Sequence, residues 1–141
     1  MKILALDLGD KWVGVALSDA SRIIARPYKT ISFHELINFL KELFEQESIS
    51  TVLVGCPTTL RGTKSEQTQK IITQKDALEN LFSEKKWILC DERLTSKQVV
   101  ALQSETGKMK NKLEIHARCA ALILDSYLAY IRFQEELEEK F

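Results

Sequence analysis

The chain lacks an excess of charge of either sign. Lys and Arg total 20, Asp and Glu total 20, and the formal net charge of the 141 residues is zero. Composition therefore does not announce a strongly basic nucleic-acid binder, and any basic surface has to be local. The chain also lacks an apolar run of about 18 residues or more, the length a membrane-spanning helix requires. Met1-Lys2 leads straight into an apolar strand pattern, which leaves no room for a secretory signal. A soluble, cytoplasmic protein with no membrane partner is expected. Cysteine is scarce: Cys56, Cys90 and Cys119 are far apart and each sits in an apolar stretch. That spacing argues for buried free thiols in a reducing compartment, not for disulfides or a zinc site. There are only two prolines, Pro27 and Pro57.

What is present is enough apolar material for one core. Hydrophobic residues make up 45% of the chain, and its length is that of one domain, so a single domain over 1–141 is expected. Residues 2–7, "KILALD", read as a strand, and the turn "LGDK" joins them to a second, "WVGVALS". "RIIARPYKTI" reads as a third, with Pro27 pushing it toward an edge. "SFHELINFLKELFEQE" carries apolar residues at helical spacing, and Ser32 with Glu35 three later predicts a capping box. "STVLVGCP" is a short apolar strand ended by Pro57. A Gly-containing loop, "TTLRGTKSEQ", leads to a polar helix over about 66–83. "KWILCDER" is a further apolar strand, "TSKQVVALQ" a short helix, and "SETGKMKNK" a loop. One long helix covers about 112–139. A meander followed by alternating helices and strands predicts an α/β fold: a mixed five-stranded sheet, antiparallel β1-β2-β3 then parallel β4 and β5, with helices on both faces. Ligands of such sheets gather at the carboxyl ends of the parallel strands.

Acids stand at two of those ends. Asp7 closes the first strand, and Asp91-Glu92 close the fifth. A carboxylate in an apolar strand is costly unless it is paired or metal-bound. Hard divalent cations take oxygen ligands, and a pair of them can activate water and stabilise the leaving oxygen in phosphodiester cleavage. Asp10 and Asp19 read instead as punctuation, one in a turn and one at a strand end.

Four segments resemble one family in order and across nearly the whole chain. "ALDLGDKWVGVALSD", "VGCPTTLRG", "CDERLTSKQV" and "IHARCAALILDSYL" resemble the motifs of the YqgF (RuvX) family, which shares the RNase H-like fold with the RuvC resolvases. The resemblance implies a bacterial nuclease dependent on Mg2+ or Mn2+ and associated with processing the 5′ end of pre-16S rRNA in ribosome biogenesis. The alternative it carries is resolution of Holliday junctions in DNA. The implied partner is nucleic acid: a ribosomal precursor particle or branched DNA. Asp7 matches the family's first-strand carboxylate, and Glu92 matches the acid of the third motif, with Asp91 just before it as a further possible ligand.

The departure lies in the last helix. Counting back from Tyr127 without a gap, the family's helix aspartate falls on His116. Glu114 is no substitute, because two residues are roughly 200° apart around a helix. His116 shares a stripe with Cys119, Ala120, Ile123 and Tyr127, which is expected to face the sheet. Glu114 shares its face with Arg118, Ala121 and Asp125, and Glu114–Arg118 has the spacing of an ion pair. The candidate catalytic and metal-binding set is therefore Asp7, Glu92 and His116. An imidazole in place of a carboxylate should weaken Mg2+ and favour Mn2+.

Local cations supply the expected nucleic-acid rim: Lys11 in the first turn, Arg61 and Lys64 around Gly62, Arg93 after Glu92, and Lys108, Lys110 and Lys112 before the last helix. Trp12 stands where the family usually has Arg or another polar residue. It begins an apolar strand and is expected to pack, with base stacking as its other use. A different reading, supported by the absent third carboxylate and the zero net charge, is a catalytically weak nucleic-acid- or ribosome-binding module. An actin-like or sugar-kinase ATPase is excluded by length, since those enzymes need two such domains. Tyr130, Ile131 and Phe133 fit internal packing or a dimer contact, so monomer and homodimer both stand.

Overall fold

A computed structural model describes residues 1–56, 66–91 and 113–140. Five strands and three longer helices alternate along them: β1 (Lys2–Leu8), β2 (Trp12–Ser18), β3 (Ala25–Ser32), a 3-10 turn (Phe33–Glu35), α1 (Leu36–Gln46), β4 (Ile49–Cys56), α2 (Glu66–Leu81), β5 (Lys86–Asp91) and α3 (Glu114–Lys140). The sheet order is β3-β2-β1-β4-β5. β1 pairs antiparallel with β2 and parallel with β4; β2–β3 is antiparallel and β4–β5 parallel. The expected meander and parallel pair are both present, and Pro27 lies on an edge strand at an irregularity in its register with β2, a position at which a sheet tolerates proline. The helix expected over "TSKQVVALQ" and the "SETGKMKNK" loop lie outside the described residues.

Strand alternation divides the core into two layers. Leu4, Leu6 and Leu8 of β1, with Val13, Val15 and Leu17 of β2, join Leu36, Leu40 and Leu43 of α1 and Ile71 and Leu78 of α2. The three α1 leucines fall at i, i+4 and i+7, one face of a helix. On the opposite face, Ile3, Ala5, Ala16 and Leu53 meet Ala120, Leu124 and Leu128 of α3. The small residues there let α3 lie close to the sheet. With both faces covered, β1 reads in sequence as a near-continuous apolar run.

Three expectations need correction. β3 begins at Ala25, not at Arg22. Residues 19–24 form a loop in which Asp19 Oδ1 accepts the backbone N–H groups of Ile23 (2.7 Å) and Ile24 (3.0 Å). Arg22 there has φ 60°, a left-handed conformation no strand contains. Ile23 and Ile24 are exposed despite their apolar character. The capping box does not form: Ser32 and Glu35 make no side-chain cap bond, because a 3-10 turn intervenes and the Phe33 N–H bonds the Lys11 carbonyl at 3.0 Å. The buried stripe of α3 runs through Ala117, Ala120, Leu124 and Leu128, with Ile123 beside it. It is centred one position beyond the stripe that put His116 in the middle, so His116 is half-buried at its flank.

Candidate active site

Asp7 is the third of the odd-numbered residues of β1 that face α3. Its antiparallel partner is Gly14, and Gly14 in turn pairs with Thr30 of β3. These three positions form a row across the sheet, and α3 starts on top of it. The Thr30 hydroxyl donates to the Leu113 carbonyl at 2.7 Å. Gly14 lies under the next turn: a Cβ there would sit 1.9 Å from the His116 carbonyl oxygen and 2.9 Å from the Ala117 nitrogen. Only glycine admits this approach. The row thus sets the first turn of α3 beside Asp7, and it brings His116 and Asp7 to one face of the sheet.

Burial governs the electrostatics. Among the described residues no donor or cation meets the Asp7 carboxyl, and desolvation pushes its pKa from 3.8 up to about 6. Burial also pushes the His116 imidazole below its usual value, so the ring is neutral at physiological pH. In β4 and β5, Leu6 aligns with Val54 and Val54 with Leu89; one step on, Gly55 aligns with Cys90. Cys90 packs against the layer that α3 covers, the layer Asp7 faces, and burial raises its thiol to about 11. None of the three cysteines is in a disulfide.

The other predicted positions divide simply. Lys11 is exposed in the β1–β2 turn, with its ammonium 5.9 Å from the centre of the Trp12 ring. The backbone of Asp91 ends β5 opposite Cys56. Glu92, Arg61, Lys64, Arg93, Lys108, Lys110 and Lys112 lie outside the described residues. Among the described residues no three His, Cys, Asp or Glu side chains form a metal-holding group. The two that are described suit a divalent cation chemically: a desolvated carboxylate without a counter-charge, and a neutral imidazole.

Asp10 pairs with Lys70 of α2, an exposed contact tying the β1–β2 turn to that helix. Asp19 holds its loop, as above. Both make local contacts within the fold, in keeping with the punctuation their positions in the sequence suggested. The residues that sequence reasoning missed are Gly14 and Thr30. An isolated glycine inside "WVGVALS" was the available signal, since glycine in a strand marks close backbone approach. A groove of about 380 Å3 lies between β3 and the start of α3, lined among others by Tyr28, Lys29, Glu114 and Arg118.

The sheet order, the acid on the central strand and the helix laid over it define an RNase H-like α/β protein. Thermus thermophilus RuvC in complex with a Holliday junction substrate superposes with a TM-score of 0.58 over 94% of this chain and 96% of RuvC, at 13% identity, a likeness of fold. The family described as "RuvX: Holliday junction resolvase" matches residues 1–130. A protein of Rubrobacter xylanophilus named "Putative pre-16S rRNA nuclease" is 36% identical over 127 residues, covering 90% of this chain and 91% of the relative. One of Flavobacterium johnsoniae with the same name is 37% identical over 136 residues, covering 94% and 99%. The chain belongs to the RuvX family of nucleases. No helix among the described residues is long and apolar enough to cross a membrane.

Proposed function

We propose that this chain is a divalent-metal-dependent endonuclease whose substrate is the 5′ region of pre-16S rRNA, with the whole chain acting as one nuclease domain. The observation that carries the metal requirement is Asp7: a carboxylate desolvated on a central strand, with no counter-charge among the described residues. Such a group is stabilised when a cation arrives. The names of the relatives support the RNA substrate.

Asp7, Glu92 and His116 are proposed to hold Mg2+ or Mn2+, with Asp91 as a further candidate. Glu92 follows in sequence directly on β5, whose Cys90 packs against the layer that Asp7 faces, and that adjacency is the reason to propose it as the second carboxylate. The bound metal would supply Lewis acidity and a water acidic enough to ionise near neutral pH. The chain's own part is to exclude water from one side of Asp7 and to keep His116 neutral, with a lone pair for a cation or a proton. Lys11 and the cations that lie outside the described residues, Arg61, Lys64, Arg93, Lys108, Lys110 and Lys112, are proposed to neutralise backbone phosphates.

The test is cleavage of a labelled pre-16S 5′ leader and of a four-way DNA junction, each in Mg2+ and in Mn2+. Cutting of the RNA that is lost in Asp7→Asn supports the reading. Symmetric cutting of the junction with untouched RNA makes the chain a resolvase, the activity in the family's description. No cleavage of either substrate in either metal leaves a binding module.

A further inference from the structure

Among the described residues Trp12 is not part of the apolar core. It is half-buried and, among the described residues, joins neither of the two buried clusters. Its neighbours explain why. Val13 and Val15 point into the layer under α1 and α2, and Gly14 faces α3. Alternation therefore puts Trp12 on the face of Gly14 and Asp7. Asp7 pairs with Gly14, so Trp12 is the diagonal neighbour of Asp7, a separation of about 7–8 Å in an antiparallel pair, within reach of an aromatic side chain. That is comparable with the reach from a backbone phosphate to the base of the same nucleotide. Gly9 fixes the tryptophan backbone in this place: a Cβ at Gly9 would sit 2.6 Å from the Trp12 carbonyl oxygen. Lys11 holds its ammonium over the indole ring.

We propose that Lys11 and Trp12 form a stacking platform for one unpaired base of the nucleic acid, beside the phosphate that Asp7 serves. The indole offers a flat apolar face that every base can use, and the lysine offers a charge to the adjoining phosphate. The platform rests on the nuclease reading and adds to it a preference for an unpaired nucleotide at the cut. A fully paired duplex has no base to give.

The chain contains only two tryptophans. Trp87 is buried, and its indole N–H bonds the Phe82 carbonyl at 2.9 Å, so it is shielded from a ligand. Emission changes on binding therefore report Trp12. The experiment titrates single-stranded RNA and DNA 12-mers of one sequence, and the matching duplexes, into the Asp7→Asn protein, reading tryptophan emission and the anisotropy of the labelled strand. Single strands are expected to quench the emission, duplexes to leave it largely unchanged, and Trp12→Phe to abolish the quench while keeping most of the affinity. Trp12→Ala is expected to weaken single-strand binding by about tenfold. Lys86→Glu, an exposed charge change at the start of β5, is expected to leave affinity within about twofold, because salt screens remote surface charges. Quenching that survives in Trp12→Phe, or affinity unchanged in Trp12→Ala for both RNA and DNA, overturns the platform. Quenching by RNA alone or DNA alone names the polymer. Binding is read without cleavage, so an inert intact chain would sink the nuclease reading and leave this result standing.

Discussion

Gly14 lies directly beneath the carbonyl of His116, and its strand partner is Asp7. One hydrogen atom in place of a side chain thus sets how closely the helix bearing the imidazole approaches the strand bearing the carboxylate. Gly14→Ala brings a Cβ to 1.9 Å from a backbone oxygen, which no rotamer change relieves. The start of α3 has to lift. The expected cost is on the order of 3 kcal/mol, the upper range for overpacking, read as a lower urea midpoint. Cleavage should fall further than that loss of folded protein explains, because the pair of groups separates. A variant with full activity at normal stability would show that the close approach is dispensable.

Asp7 stores a stability penalty that depends on pH. Its folded pKa of about 6 lies above the 3.8 of the exposed group. The folded state therefore holds its proton more tightly, and stability is greatest below 3.8, falls between there and about 6, and is flat above. A shift of that size corresponds to at most about 3 kcal/mol. In the absence of metal, Asp7→Asn should melt at a higher temperature than the natural chain at pH 7.5, and the difference should vanish by pH 3.5. Calorimetry in chelator checks this, and equal melting temperatures at pH 7.5 would contradict it. Saturating Mn2+ should narrow the gap, since only the carboxylate gains from the cation.

His116 should set the choice of metal. Restoring a carboxylate with His116→Asp adds a hard oxygen ligand and a negative charge, which Mg2+ prefers to imidazole nitrogen. The ratio of the cleavage rate in Mg2+ to that in Mn2+ is expected to rise, whatever happens to either rate alone. A ratio unchanged in His116→Asp and in His116→Ala would remove the residue from the metal set.

Asp19 gives the contrasting case of a carboxylate with a purely local task. The N–H groups of Ile24 and Ile23 hold its pKa below the usual carboxylate range. Its contribution to stability is present above the unfolded pKa and lost as pH falls through the lowered folded value. Asp19→Ala should therefore lower the melting temperature at pH 7 and converge with the natural chain in acid. Cleavage at a temperature where both are folded should be untouched.

The parts of the fold legible in the sequence are those in which a residue's neighbours in the chain decide its state. The β1–β2 hairpin, the apolar β4 and β5 and the amphipathic α1 follow from local pattern. Residues 22–24 did not, because two isoleucines look like strand until the Asp19 carboxylate takes the N–H groups of both. Ser32 and Glu35 carry the spacing of a capping box. The ladder reaches on to the Phe33 N–H and converts that start to a 3-10 turn. For the site, Asp7 was legible as an acid closing an apolar strand. The place of His116 on α3 was legible only within one position, since the helix is rotated so that Ala117 and Ala120 meet the sheet. That rotation is set by Gly14 and Thr30, which lie about 80 or more positions away in the chain and are brought to α3 only by folding.

Two apolar layers flank β1, and only one of them tolerates what this strand carries. If β1 slipped by one residue against β2 and β4, every side chain would change faces, and Asp7 would enter the leucine layer beneath α1 and α2. On its native face Asp7 is only half-buried; among the leucines it would lose that remaining water as well, at a cost of several kcal/mol. Leucines 4, 6 and 8 would be interchangeable with their neighbours in a purely aliphatic strand; the aspartate makes the strand's two sides unequal. The acid proposed for chemistry thus serves as a proofreading mark during folding, rejecting a misaligned sheet before any substrate arrives. Replacing it with leucine would erase that mark, and the expected trace is a population of misfolded chains on refolding that Asp7→Asn, still polar, does not produce.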